Sequence, residues 1–370
     1  MSEEKIGILT LFYKSSNYGG LLQSYALVRA IENLGEYKVE QICYDADKFY
    51  SVKHKLSVLG KKIMLFLKDK DLYANLKMRE KACRSFANSV NHSDVVYNEK
   101  TINLSNKVYD CFIVGSDQVW GGFTNTFSLS FTEKRKIAYA VSSGGRIYSD
   151  AVKNKYKQVL PKYKAISARE KQLVTDLHEI TGLNISWVLD PTLLLKREDW
   201  DKLDNGKIIE DDYLLCYFLG NDIRLRELAK TYAKERQLKI VCFPNMQGFY
   251  ERADLGFGDY KIYDAGPEVF VNLIKYSKAV FTDSFHASVF SIIYEKKFYV
   301  FNRTNAKNMS TRIYSLLSLF NCEKAFLDSD ELFSSEYINK IEDEIDIKSI
   351  SYDAFEIMRK NSLLFLRDNI

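Results

Sequence analysis

A chain of 370 residues is too long for one small core, and two domains of ordinary size are the expected outcome. Apolar residues make up 46% and charged residues 28%, a globular mixture without low-complexity tracts, solenoid repeats or a Pro/Gly/Ser-rich linker. Its 53 basic and 49 acidic residues are spread along the chain, so the net charge of +4 leaves no footprint for nucleic acid.

The six cysteines form no C-x-x-C pair, and Cys111, Cys216 and Cys242 sit in apolar, strand-like runs where a buried thiol is the default. The polar start MSEEK lacks a signal-peptide pattern, and no run of 18 apolar residues occurs. A reduced, metal-independent, cytoplasmic protein is expected.

In chain order, KIGILTLFY (5–13) reads as a strand, SSNYGG as a turn, and LLQSYALVRAIENLG as an amphipathic helix. That helix has apolar residues at 22, 26, 27, 30, 31 and 34 and a stop at Gly35. KVEQICY (38–44), YDCFIVGS (109–116), KIAYAVS (136–142), KAISA (164–168) and ISWVLD (185–190) follow as strands separated by helical or loop segments. After the charged stretch 197–212 the pattern restarts with YLLCYFLG, a helix to about 236, LKIVCFP, a helix near 267–277, KAVFT, a helix near 285–295, and KFYVFN. Near-continuous apolar strands alternating with helices are the mark of parallel sheets covered on both faces.

The expected organisation is α/β: an N-terminal Rossmann-like domain over 1–195 and a C-terminal one over 196–350, followed by a helix at 351–370 that packs on either. A cleft between the carboxyl ends of the two sheets is the expected ligand site, because ligands of open α/β sheets bind at strand ends. A helical insertion at 47–92, dense in Lys and Arg beside apolar residues, reads as a solvated packed helix or as a basic amphipathic patch for a membrane surface.

The candidate residues lie at strand ends. In SSNYGG, Gly19 and Gly20 permit close backbone approach before a helix start, which serves equally as a plain capped turn or as an anion or sugar site. GSDQVW offers Ser116, Asp117 and Gln118, with Trp120 as a stacking surface for a sugar ring; Asp117 alternatively caps a helix. KAISARE ends in Arg169 and Glu170, and an arginine there suits bidentate capture of carboxylate or phosphate, or a surface salt bridge. VLDP places Asp190 in a structural turn. TDSFHASVF puts Asp283, Ser284 and His286 in the first turn of a helix, with Asp or Ser as cap. A positive helix end disfavours His⁺ unless an anion binds beside it, so His286 is either an incidental residue or a phosphate contact.

As an ordered set, NYGGLLQSYAL, FIVGSDQVW, AYAVSSG, ISARE, VLDPTLLL and TDSFHASVFSIIYEKKFYVFN resemble the polysaccharide pyruvyl transferase family across roughly residues 5–320. The resemblance implies a GT-B-like fold, two Rossmann-like domains facing across a cleft, with the acceptor on the N-terminal side and the donor on the C-terminal side. It implies transfer of the pyruvyl group of phosphoenolpyruvate to two hydroxyls of a hexose, as a cyclic ketal, in surface-polysaccharide (capsule or exopolysaccharide) synthesis, with no metal or other cofactor. The acceptor it implies is a sugar, lipid-linked in many bacterial members, which suits peripheral contact with the inner membrane face.

By match to the family, Arg169 becomes the carboxylate or phosphate clamp, His286 the phosphate contact or general acid, and Asp117 a sugar-binding residue or base. Asn17, Tyr18, Gly19, Gly20, Gln23, Ser116, Gln118, Ser284, Arg303 and Arg312 are assigned to substrate binding. Two departures stand out. Several relatives carry arginine two residues before the late histidine, where this chain has Ser284, with Arg303 and Arg312 the nearest replacement cations; and no histidine ends AYAVSSGG. The rival readings are a GT-B nucleotide-sugar glycosyltransferase and a non-catalytic carbohydrate-binding protein on the same fold.

Overall fold

Alternation of apolar strands with amphipathic helices produces two all-parallel sheets of six strands each. The computed structural model describes residues 4–35, 37–46, 69–145, 148–244, 252–254, 256–303, 310–328, 334–342 and 352–370, with residues 60, 64, 66 and 67. Lys61, Lys62 and Lys68 of the basic insertion, like most of 47–68, lie outside the described residues.

The chain divides into two compact units. One comprises Met1–Ser51, Cys83–Leu195 and Asp353–Ile370, the other Val52–Ala82 and Lys196–Tyr352. A contiguous split therefore misses two exchanges. Val52–Ala82 belongs with the second unit, where Arg79 donates to the Pro244 and Ile262 carbonyls, each at 3.3 Å. The last helix, Tyr352–Asn369, belongs with the first: the Leu189 N–H donates to Ser362 Oγ at 3.0 Å, and Leu366 is fully buried.

The first sheet holds β1 (Lys5–Leu9), β2 (Lys38–Gln41), β3 (Cys111–Val114), β4 (Arg135–Val141), β5 (Ala165–Ala168) and β6 (Ser186–Trp187), in the order β2-β1-β3-β4-β5-β6. Its strands are apolar on both faces, as a sheet covered on both sides requires; Cys111, Phe112, Ile113 and Val114 are all fully buried. Glycine is needed at the centre of β1, because a Cβ on Gly7 would lie 2.7 Å from Ile42 and 2.9 Å from Tyr109. Helix α1 (Tyr18–Glu32) begins three residues earlier than the apolar pattern indicates. Asn17 caps it, its side chain accepting from the Gly20 N–H at 3.2 Å, so Tyr18, Gly19 and Gly20 form the first turn.

The second sheet holds β7 (Tyr213–Tyr217), β8 (Lys239–Cys242), β9 (Tyr260–Lys261), β10 (Ala279–Thr282), β11 (Lys297–Phe301) and β12 (Phe326–Leu327), in the order β12-β11-β10-β7-β8-β9. All six cysteines are buried and free. Burial pushes the Cys111 and Cys242 thiols up to about 12, as inert core thiols should be.

In both sheets the strand order reverses at the unit's first strand. β1 lies between β2 and β3, and β7 between β8 and β10. Connections leave such a strand pair in opposite directions, so the carboxyl ends there are the natural places for ligand-binding loops.

Candidate functional site

At the switch point of the first unit, loops from successive strands interlock through buried polar groups. Gln23 of α1 donates to Thr10 Oγ1 at 2.9 Å and to the Gly20 carbonyl at 2.8 Å, while its Oε1 accepts from the Ser116 N–H at 3.1 Å. Thr10 Oγ1 donates to the Ser116 carbonyl at 3.0 Å, and Ser116 Oγ donates to the Ala140 carbonyl at 2.9 Å. These contacts hold the loop after β3 in a conformation the backbone would otherwise avoid. Gly115 has φ 120, with room only for hydrogen where a Cβ would come within 2.0 Å of the Tyr139 carbonyl oxygen. Asp117 takes φ 67 and Ala140, on the adjoining strand, φ 48. Left-handed non-glycine residues gathered at strand ends are a recognised mark of a functional site.

The centre of this site is Arg169, at the end of β5, with its side chain only 2% exposed. Its Nη1 donates to Asp190 Oδ2 at 2.5 Å, Nη2 to Asp117 Oδ1 at 3.1 Å and Nε to Glu170 Oε1 at 3.5 Å. Burial pulls the guanidinium down, and the Asp190, Asp117 and Glu170 carboxylates more than offset it, raising it above its ordinary value. Asp190 is fixed in turn by accepting from the Thr192 N–H at 3.0 Å and Thr192 Oγ1 at 2.7 Å. Glu170 accepts from Ser142 Oγ at 2.6 Å. A carbon added at Gly20 would sit 3.6 Å from Asp117 Oδ2, which places that carboxylate beside the first turn of α1.

At the switch point of the second unit, Asp283 follows β10. Its Oδ1 accepts from the Leu219 N–H and its Oδ2 from the Gly220 N–H, both at 2.7 Å, tying this turn to the end of β7. Arg303, past the end of β11, donates from Nε to Asp283 Oδ2 at 3.3 Å and from Nη2 to the Asp283 carbonyl at 3.1 Å. Its side chain remains 20% exposed. Ser284 caps the helix Phe285–Ile293, and His286 stands in its first turn, 8% exposed, with its ring edge-on to Phe285 at 5.2 Å. The Arg312 guanidinium lies over the Phe285 ring at 6.0 Å.

The structure therefore gathers the sequence candidates into two groups. Asn17, Tyr18, Gly19, Gly20, Gln23, Ser116, Asp117 and Arg169 belong to the first unit's switch point, and Gln118 lies over Gly144, where a Cβ would meet its Oε1 at 2.7 Å. Ser284, His286, Arg303 and Arg312 collect at the second.

Several roles change. Trp120 offers no stacking surface: it is 1% exposed, packs on Phe123, Tyr156 and Tyr163, and donates Nε1 to the Phe127 carbonyl at 3.0 Å. Gln23 and Ser116 use their polar groups to lock loops together. Arg169 directs its donors at protein carboxylates, so an outward-facing clamp for an anion is not what the side chain forms. Asp190 proves to be more than a turn residue, and Thr10 was overlooked. The signal for Asp190 was an acid at the end of a strand neighbouring the Arg169 strand, whereas a lone threonine after β1 carries none. Among the described residues, no group of three or more His, Cys, Asp or Glu could hold a metal ion. None of the described helices is long and apolar enough to cross a membrane.

A family model described as polysaccharide pyruvyl transferase matches residues 17–305. The chain belongs to that family. The matched span of this polysaccharide pyruvyl transferase family member takes in α1, the Arg169 cluster, the Asp283–His286 turn and Arg303, and stops short of Arg312. No curated protein sequence matches the chain.

Among solved structures, the UDP-N-acetylglucosamine 2-epimerase of Rickettsia bellii is similar at 11% identity with a TM-score of 0.55, covering 99% of this chain and 96% of that one. The UDP-GlcNAc 2-epimerase of Methanocaldococcus jannaschii, solved with UDP-GlcNAc and UDP, is similar at 13% identity with a TM-score of 0.52, covering 97% and 99%. Such identities speak for the fold alone: two Rossmann-like units of the GT-B-like kind.

Proposed function

We propose that this family member transfers the pyruvyl group of phosphoenolpyruvate to two hydroxyls of a hexose, forming a cyclic ketal on a surface polysaccharide or its precursor. The observation that carries the reading is the Asp283–His286 turn. An imidazole at a helix start with a guanidinium braced alongside suits a ligand bearing both phosphate and carboxylate. Ser284 supplies the helix cap at the position where the family resemblance gives several relatives an arginine, and Arg303, anchored on Asp283, brings positive charge to that turn from beyond β11.

The steps follow from the charges that develop. His286 as general acid protonates the methylene carbon of phosphoenolpyruvate, giving a cationic centre at C2. The first sugar hydroxyl attacks C2 and gives up its proton to a carboxylate, Asp117 in this reading. Phosphate then leaves with the C–O electron pair, drawn by Arg303 and the helix start. The second hydroxyl attacks the regenerated cation and closes the ketal. Of the two hydroxyl protons, one replaces that delivered to the methylene carbon and the other ends on the departing phosphate.

Arg169 acts in this scheme by positioning: its fork holds Asp117, Glu170 and Asp190. Phosphoenolpyruvate is the donor substrate and the reading calls for no other cofactor. A lipid-linked acceptor at the cytoplasmic membrane face is part of the same proposal.

The test incubates the protein with phosphoenolpyruvate and a panel of galactosides, mannosides and N-acetylmannosaminides. It reads phosphate release and, on the glycan, the mass gain of one pyruvate less one water. His286→Ala and Arg303→Ala should each lose the activity. A protein that is thermally stabilised by UDP or GDP and ignores phosphoenolpyruvate would instead be a nucleotide-sugar enzyme.

A further inference from the structure

The second unit carries a cavity of about 590 Å³, separate in its lining from the Asp283–His286 turn. Pockets that take small molecules run from roughly 300 to 1,000 Å³. It lies at the carboxyl ends of β8 and β9, where Pro244 and Tyr263 follow the two strands. One wall is the helical insertion. Asp71, Ala74 and Asn75 of the helix Lys70–Ser89 line the cavity, and Arg79 donates to the Pro244 and Ile262 carbonyls. Their spacing puts all four residues on one side of the helix, so the Arg79 bonds lay that side against the strand ends. Asp69 also lines the cavity, and its Oδ1 caps the helix by accepting from the Leu72 N–H at 2.8 Å. The other wall is Lys261 at the end of β9, Tyr263 just past it, and Asp254.

The charges in this lining nearly cancel. Asp254, 8% exposed, is neutralised by Arg226, whose Nε and Nη2 donate to its Oδ1 at 3.2 and 2.8 Å. Asp69 and Asp71 are set against the Lys261 ammonium and the positive start of the helix. A phosphorylated ligand would meet two carboxylates for one ammonium. An apolar ligand would take hydrogen bonds from these groups and return none. Among the described residues, no group of three or more His, Cys, Asp or Glu could hold a metal ion. The lining fits a neutral molecule dense in hydroxyls. The carboxylates and the Asn75 carbonyl oxygen accept, Lys261 and the Asn75 amide donate, and the Tyr263 hydroxyl does either.

We infer that this cavity is a glycan-binding subsite for neutral sugar residues, formed by the helical insertion and the ends of β8 and β9. In the sheet only β7 separates β8 from β10, so the subsite shares an edge with the Asp283–His286 turn, about 10 Å along it. The role is one of binding, and it holds whether or not the group transferred is pyruvyl.

The test uses the full chain and calorimetric titration, with saturation-transfer NMR, of neutral di- to tetrasaccharides of galactose, glucose, mannose and N-acetylglucosamine. Wild type should bind at least one of them. Ala74→Trp fills the cavity from an exposed helix position and should abolish that binding. Asn75→Ala should weaken it about 5-fold and Lys261→Ala about 10-fold, as the loss of one neutral and one charged hydrogen bond requires. Lys77→Ala, whose side chain is 45% exposed on another side of the same helix, should bind as wild type does.

Saccharide binding that Ala74→Trp leaves unchanged overturns the assignment, and so does a wild type that binds none of the saccharides. Binding of UDP, GDP or a polyamine that is lost in Ala74→Trp, without any saccharide bound, overturns the neutral-sugar class. Should Ala74→Trp fail to fold, Asn75→Ala and Lys261→Ala carry the test, and wild-type affinity in both overturns it. Neither phosphate release nor ketal formation is read, so failure of the pyruvyl-transfer reading leaves these outcomes untouched.

Discussion

Deleting the guanidinium of Arg169 tests whether it is a buried organiser or an anion clamp. Arg169→Ala removes the fork from Asp117, Glu170 and Asp190, which are 5%, 6% and 2% exposed in the native protein. Breaking a buried ion pair from one side costs about 3–5 kcal/mol, because the surviving charge is left uncompensated. Three carboxylates lose their cation here, so the upper half of that range applies at neutral pH. For a domain of this size each kcal/mol lowers Tm by about 2–4 °C, and the melting transition of the first unit should fall by about 8–20 °C.

Calorimetry of wild type and variant, with phosphoenolpyruvate titrated into each protein, is the assay. An anion clamp would show the reverse pattern: phosphoenolpyruvate binding lost and melting within about 2 °C of wild type. That outcome would refute the positioning role.

Asp283→Ala removes the acceptor for the Leu219 and Gly220 N–H groups and the anchor of Arg303; a loss of about 2–4 kcal/mol is expected from chemical denaturation. Ser284→Arg alone should lower Tm, because the replaced residue is a helix cap only 7% exposed, whereas Ser284→Arg with Arg303→Ser should bind phosphoenolpyruvate better than Arg303→Ser alone. Calorimetric titration decides this, and no improvement in the double variant would mean that Arg303 does not stand in for the arginine of relatives. Glu268→Gln should raise Tm slightly at neutral pH. Burial pushes this carboxyl up, outweighing the backbone hydrogen bond that lowers it, and its Oε2 has no partner. Its folded pKa lies above the unfolded one, so wild type is penalised as pH climbs above that of a free carboxyl, and the advantage of the variant should vanish toward pH 4. An equal Tm difference at pH 4 and pH 7.5 would show that charge is not its source.

Local signals carried the sequence reading a long way. Runs such as CFIV and AVFT are continuous in apolar character because both faces of their strands are covered, and that marks parallel sheets without knowledge of any partner. The small-residue and polar motifs that follow those strands likewise fell where the strand order reverses. The misreadings are equally physical. Trp120 was placed at a sugar because a tryptophan after a strand looks available; its burial depends on Tyr156 and Tyr163, some 40 residues on. Tyr18, Gly19 and Gly20 have turn composition, and the Asn17 cap starts the helix there.

Charge pairing was the least legible property, because the sequence displays charges and hides their partners. Arg169 meets Asp117 across 52 positions and Asp190 across 21, and those pairings convert an apparently available cation into a buried one. Ser284 is the reverse case, where the proposal draws the missing cation from another segment. A helix cap occupies that position, Asp283 is committed to the two N–H groups after β7, and the guanidinium arrives from β11, whose carboxyl end lies beside that of β10 in the sheet. Parallel pairing puts Thr282 opposite Val300, so the residues that follow the two strands emerge side by side. An arginine past the end of β11 can therefore supply the charge that an arginine after β10 would, and a motif confined to one segment registers only its absence.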